Sequence, residues 1–197
     1  AGTLLYEYAQ RIDRTSEAPQ WPILAELVRY QSQRLGFDLP GHEELIVHLR
    51  LGNAKGYVGT ASDLADYVEA RLAELGPSVS RVSIVTAVHF GASFLNHHRD
   101  DGQPARASAE NRSKVAEIMR LFAERGLRAR LISRADVDLD FCTLANARHL
   151  VLGNGHFYLC AAMVSGADTL VPPWARSGTD LDIDELLGSR RRASGSP

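Results

Sequence analysis

Cysteine is almost missing from this chain: Cys142 and Cys160 are the only two in 197 residues. Two cysteines do not make a disulfide framework. Both fall on apolar helical faces, where a free thiol behaves as a small hydrophobe, and a bridge between them would require those helices to meet. Long apolar runs are missing too, and none approaches the roughly 18 residues that a membrane helix needs. No signal peptide is evident, although a start at Ala1 is what processing or truncation would leave. Charge of one sign is not in excess. With 22 basic and 24 acidic residues the net charge is −2, so no global field points toward nucleic acid or an anionic membrane. The local exception, Arg190-Arg191-Arg192, sits in a Gly/Ser/Pro-bearing tail and reads as a solvated, mobile segment. What remains is an ordinary globular balance, 45% apolar and 23% charged, in a length that suits one substantial domain or a domain with a short arm.

Periodicity then orders the chain. Residues 1–20 are polar and mixed, an arm with a short helix around 4–11. Trp21, Leu24, Val28 and Leu35 follow helical spacing up to a stop at Gly36. Strands are expected at 45–49, 82–88, 130–133, 149–152 and 169–171. Between them lie four further helical stretches. One is capped by Ser62, with an inner face of Leu64, Val68, Leu72 and Leu75. A polar loop over 91–107 precedes the next, capped by Ser108 and striped by Val115, Ile118, Met119 and Phe122. Residues 139–147 and 157–165 form the last pair of helices. Strands alternating with helices through short connections predict an α/β fold, a Rossmann-like parallel sheet flanked by helices on both faces. The expected organisation is an N-terminal arm and helix over 1–40, a Rossmann-like domain over 41–188 and a flexible basic tail over 189–197.

Two segments carry candidate chemistry. In His48-Leu49-Arg50-Leu51-Gly52-Asn53, His48 and Arg50 share one face of a strand because side chains alternate. Gly52 permits a sharp turn at the strand end, and a guanidinium there reaches a diphosphate bidentately. An edge arginine paired to a carboxylate, with a histidine filling a polar gap, explains the same residues without a ligand. The second segment is the turn at Gly153, Asn154 and Gly155 between a strand and a helix. The N–H groups of Gly155, His156 and Phe157 open that helix, where anions are favoured by the orphan donors and the dipole. An ordinary capped βα turn again gives the same sequence. A third cluster, Asn96-His97-His98-Arg99-Asp100-Asp101-Gly102, holds metal-ligand residue types. Adjacent ligands seldom face one ion, and Arg99 opposes a cation, so a solvated loop is favoured over a metal-dependent hydrolase. His42 and Glu43-Glu44 read as surface residues near a turn.

Together the first two segments resemble the fucosyltransferase superfamily with the GT-B fold, in particular its α-1,2-fucosyltransferase-like branch. Members carry His-x-Arg-x-Gly-Asp after an early strand of the donor-binding domain. Later comes Asp-(Phe/Leu)-x-x-Leu-x-x-(Cys/Ala)-(Lys/Arg)-His, followed by Asn-Ser-(Ser/Thr)-Phe-Ser. Here Asp140, Phe141, Leu144, Ala147, Arg148 and His149 match the second element, Asn154 and Phe157 the third, and Pro172-Pro173-Trp174 is similar to a Pro-x-x-Trp that often follows. The likeness spans residues 45–174, dense at its ends and thin between them.

The resemblance implies the C-terminal, donor-binding half of a GT-B glycosyltransferase, with residues 1–40 a remnant of the acceptor-side domain. It implies GDP-fucose as donor, a glycan or glycoprotein hydroxyl as acceptor, transfer with inversion, and no metal or other cofactor. The implied site is His48, Arg50, Gly52, Asn53, Asp140, Asn154, Gly155, His156 and Phe157, with Arg50 on the diphosphate as the catalytic group. The compartment it implies is the Golgi lumen for a eukaryotic member and the cytoplasm for a bacterial one.

Several positions depart from the pattern. Asn53 stands for Asp, Gly155 and His156 for hydroxyl residues, Tyr158 for a small serine, Leu159-Cys160 for an aromatic pair, and His89-Phe90-Gly91-Ala92 for a Phe-Ser-Asp-Asp-like element. No residue is identified as the acceptor's general base. These departures support an alternative, a catalytically inactive relative that keeps the fold as a binding or structural module.

Overall fold

The computed structural model describes residues 4–9, 11–12, 20–36, 38–51, 60–86, 103–134, 136–153, 156–176, 183 and 185–187. The central element is β1 (Glu44–His48), in which all five residues are buried, as befits a strand covered on both faces. On one side it pairs in parallel with β2 (Arg81–Val85), which pairs with β3 (Ala129–Ile132). On the other side it pairs with β4 (His149–Val151), which pairs with β5 (Asp168–Leu170). The sheet order is β3-β2-β1-β4-β5, every pairing parallel. All five strands expected from the sequence form, each starting within a residue of its expected position.

Side chains alternate between two cores. Leu45, Val47, Val82, Ile84 and Val151 face α3 (Ala61–Leu75) and α4 (Gln103–Glu124). Ile46, Val85, Ile132 and Leu150 face α1 (Leu4–Ala9), α2 (Gln20–Leu35), α5 (Val137–Ala145) and α6 (His156–Val164). A short α7 (Pro173–Arg176) follows β5. The connections β1-α3-β2-α4-β3 therefore run on one face and β3-α5-β4-α6-β5 on the other. That is a doubly wound sheet.

The N-terminal helices belong to the second core. Leu5, Ala9 and Ile12 pack with Leu24 and Val28 of α2 against α5 and α6. Asp138, fully buried on α5, ties this layer together. It accepts from the Leu5 backbone N–H at 3.0 Å and from the Gln31 side-chain amide at 2.8 Å. With both oxygens engaged, the desolvation cost of the carboxylate is offset.

Helix starts depart from expectation. The cap of α3 is Thr60, not Ser62: its hydroxyl accepts from Asp63 N–H at 3.1 Å and the Asp63 carboxylate accepts from Thr60 N–H at 2.7 Å. Ser62 lies inside the first turn of that reciprocal box. Helix α4 starts at Gln103 rather than after Ser108, so 103–107 are not loop. Pro104 is no obstacle in a first turn, where its missing N–H has no intrahelical partner, and Ala105 and Ala107 favour helix. Helix α5 starts two residues early because Asp136 caps it, accepting from the Asp138 N–H at 3.0 Å.

Glu44 corrects the surface reading given to it. It is 1% exposed, and its carboxylate accepts from the Ser83 hydroxyl and, at 3.0 Å, from Arg130 Nε. As the first residue of β1 it faces the sheet interior, so solvation is replaced by these donors. The cysteines are free although α5 and α6 pack together. Cys142 points to the Val28 carbonyl and Cys160 to the Ala9 carbonyl, in different parts of the core.

Candidate functional site at the carboxyl edge of the sheet

The crossovers diverge between β1 and β4. The chain leaves β1 toward α3 on one face, and leaves β4 toward α6 on the other. A crevice at the carboxyl ends of two such strands is where open α/β sheets receive ligands. The in-register pairs Leu45↔His149, Ile46↔Leu150 and Val47↔Val151 bring the residues after each strand side by side.

Gly153, two residues beyond β4, lies hard against His48. A Cβ built on it would stand 2.7 Å from the His48 carbonyl oxygen and 2.9 Å from ring atom Cε1, closer than real Cβ atoms approach. On α6, Tyr158 stacks over the same imidazole, with ring centroids 3.2 Å apart and planes inclined by 25°. The end of β1 and the first turn of α6 are thus in direct contact.

Leu49 and Leu51 are buried in the α3/α4 core. The alternation therefore puts Arg50 on the same side as His48, toward α6. Arg50 is half-buried and, among the described residues, has no ion-pair partner. Burial first, and the Arg50 charge second, hold His48 well below the ordinary histidine range, so its ring is neutral at pH 7. Neither ring nitrogen has a hydrogen-bond partner among the described residues. The Thr86 hydroxyl, just beyond β2, is likewise buried and unpartnered there. Buried polar atoms of this kind are costly, and they concentrate where a ligand would supply partners.

The remaining expected site residues are placed differently. Asp140 sits beside Arg134, which follows β3, two strands away from β1, with Oδ1 3.5 Å from Arg134 Nη1. Burial pushes its carboxyl up to about 7 against the pull of Arg134, with Asp136 adding to the rise. Phe157 packs its ring into the core, edge-on to Phe141 at 4.8 Å, which leaves only its backbone for ligand contact. The backbone of His156 begins α6. Gly52, Asn53, Asn154 and Gly155 lie outside the described residues, as does the His97 loop.

Sequence reasoning missed Thr86 and the Tyr158–His48 stack, and it underrated Gly153. A glycine directly after a buried strand was the available signal for close backbone approach. Trp174 packs edge-on to Tyr67 of α3 at 5.5 Å, closing the β5 end against the α3/α4 layer. Among the described residues no group of three or more His, Cys, Asp or Glu could hold a metal ion, and no helix is long and apolar enough to cross a membrane.

The fold defines a doubly wound, Rossmann-like α/β protein whose switch point lies between β1 and β4. Comparison with protein-family models, with curated proteins and with solved structures finds no match to the chain.

Proposed function

We propose that this protein is a nucleotide-sugar-binding domain of the GT-B, fucosyltransferase-like kind, taking GDP-fucose and transferring fucose to a glycan hydroxyl with inversion. The observation that carries the reading is the meeting of two sequence-distant segments, the Arg50 end of β1 and the first turn of α6, across His48, Gly153 and Tyr158. A diphosphate in that crevice would face a guanidinium on one side and the N-terminal turn of a helix on the other.

The chemistry follows from that placement. The acceptor hydroxyl oxygen attacks the anomeric carbon as the bond from that carbon to the β-phosphate oxygen breaks. The electron pair leaves on GDP and the hydroxyl proton passes to a base or to water. Arg50 and the opening amides of α6 stabilise the charge that builds on the β-phosphate, a contribution worth about 10²–10³ in rate for one such donor. Neutral His48, stacked on Tyr158, joins the β1 end to the first turn of α6.

One observation favours a second reading, a binding module without turnover. The Tyr158 ring covers His48 where the resembled enzymes have a small serine, narrowing the space beside the diphosphate position. Incubation with GDP-fucose and a panel of acceptor glycans separates the two. GDP release that collapses in Arg50→Ala supports the transferase. GDP binding that depends on Arg50 without release of GDP from the sugar nucleotide supports the module. No binding of guanosine nucleotides removes both.

A further inference from the structure

A second recess opens at the opposite edge of the sheet. It has a volume of about 420 Å³ and is lined by His42, Glu43, Leu75, Ser78, Arg148 and His149. His42 and Glu43 lead into β1, Arg148 and His149 open β4, and Leu75 and Ser78 close α3 and the turn after it. Because β1 and β4 are hydrogen-bonded neighbours with Leu45 opposite His149, the two imidazoles and the guanidinium are gathered by the sheet register itself.

Arg148 Nη1 lies 3.1 Å from His42 Nδ1. A guanidinium has no acceptor, so His42 Nδ1 accepts and its Nε2 carries the proton. The His149 Nδ1 atom is buried with no hydrogen-bond partner among the described residues. Three nitrogen-bearing side chains and the Ser78 hydroxyl therefore border one solvent-reached recess. Metal is a poor occupant, since no described group of three or more ligands could hold it and Arg148 repels a cation.

We propose that this recess binds a tetrahedral oxyanion, as free phosphate or sulfate or as the corresponding ester group of a larger ligand. Arg148 presents its fork to the anion, His42 donates through Nε2, and His149, whose Nδ1 is closed off from solvent, donates through Nε2, most strongly when its ring is protonated. Other charges act on the recess. Glu43 is engaged by Arg81, which leaves its negative charge partly neutralised. Burial first, then the Arg148 charge and more weakly His42, hold His149 below the ordinary histidine range, with Asp168 at the start of β5 pulling the other way, so an arriving anion is what favours its protonation. The carboxyl end of α3 at Leu75 also favours a cationic imidazole. Anion binding is therefore coupled to proton uptake and tightens as pH falls.

The test is titration of the intact chain with inorganic phosphate, sulfate and acetate at matched ionic strength, following the histidine ring NMR signals. His42→Gln and His149→Gln assign the two resonances. The expected result is saturable shifts of both rings with phosphate or sulfate but not acetate, and sulfate, whose charge is constant over the interval, is expected to bind about five-fold tighter at pH 6 than at pH 8. Arg148→Ala is expected to weaken binding at least ten-fold and Arg148→Lys to restore part of it, while Arg50→Ala leaves these shifts unchanged. Unshifted rings, an equal response to acetate, or binding indifferent to Arg148→Ala in a folded variant would overturn the proposal. Loss of nucleotide binding at the other edge bears on neither outcome.

Discussion

Gly153 and His48 touch across neighbouring strands so closely that no side chain fits between them. The contact joins the turn after β4 to the end of β1, and it fixes how the two halves of the doubly wound sheet meet at the candidate site. Gly153→Ala is expected to destabilise the protein by about 1–3 kcal/mol, the usual range for forcing atoms into filled space. It should also weaken nucleotide binding. Adding His48→Ala should recover only part of the stability, because the His48 backbone carbonyl still stands in the way. Urea denaturation of the single and double variants measures both effects.

Two buried titratable groups give opposite pH slopes. The folded His48 ring resists protonation, so below about pH 6.5 the unfolded chain binds a proton that the native one refuses. Its effect is to lower stability as pH falls through that value. Asp140 runs the other way. Its folded carboxyl, raised to about 7, keeps a proton between about pH 4 and 7 that the unfolded chain has lost. Its contribution is full below about pH 4 and is lost as pH rises through 7. Asp140→Asn should therefore stabilise the protein at pH 8 by about 1–3 kcal/mol, with the gain fading toward pH 5. Denaturation midpoints across that interval provide the check, and a gain independent of pH would exclude this assignment.

Asp138 is the tie between α1, α2 and α5. Asp138→Ala leaves the Gln31 amide and the Leu5 N–H without that acceptor, at an expected cost of about 2–4 kcal/mol. Hydrogen exchange should accelerate first in α1 and in the N-terminal half of α5. Uniform acceleration across the sheet would mean the tie is not local.

On the opposite face, α4 is held by Val115, Ile118 and Phe122. Phe122→Ala is expected to cost about 3–5 kcal/mol through lost burial and the cavity left behind. A smaller loss would show that α3 and α4 close over the gap.

Much of this architecture was legible because local patterns and global packing agree. Apolar runs such as Leu45-Ile46-Val47 mark strands buried on both faces, and the helix stop expected at Gly36 has positive φ, as do Gly76 after α3 and Gly126 after α4. Helix starts were harder. Thr60 and Asp136 compete with nearby Ser62 and Asp138 for the cap, and only three-dimensional hydrogen bonding decides. The meeting of the β1 end with α6 at His48 and Tyr158 depends on β1 and β4 being neighbours, which the order of elements along the chain does not fix. The Tyr158 stack, the Glu44–Ser83–Arg130 cluster and the pairing of Asp140 with Arg134 depend on which distant elements meet, and local periodicity holds no trace of that.

The most direct test of the central claim is a crystal structure of the protein with GDP bound. The diphosphate is expected at the carboxyl ends of β1 and β4, with the Arg50 guanidinium and the backbone N–H groups that open α6 both within hydrogen-bonding distance of its oxygens. A diphosphate bound elsewhere, or one that Arg50 does not reach, would contradict it.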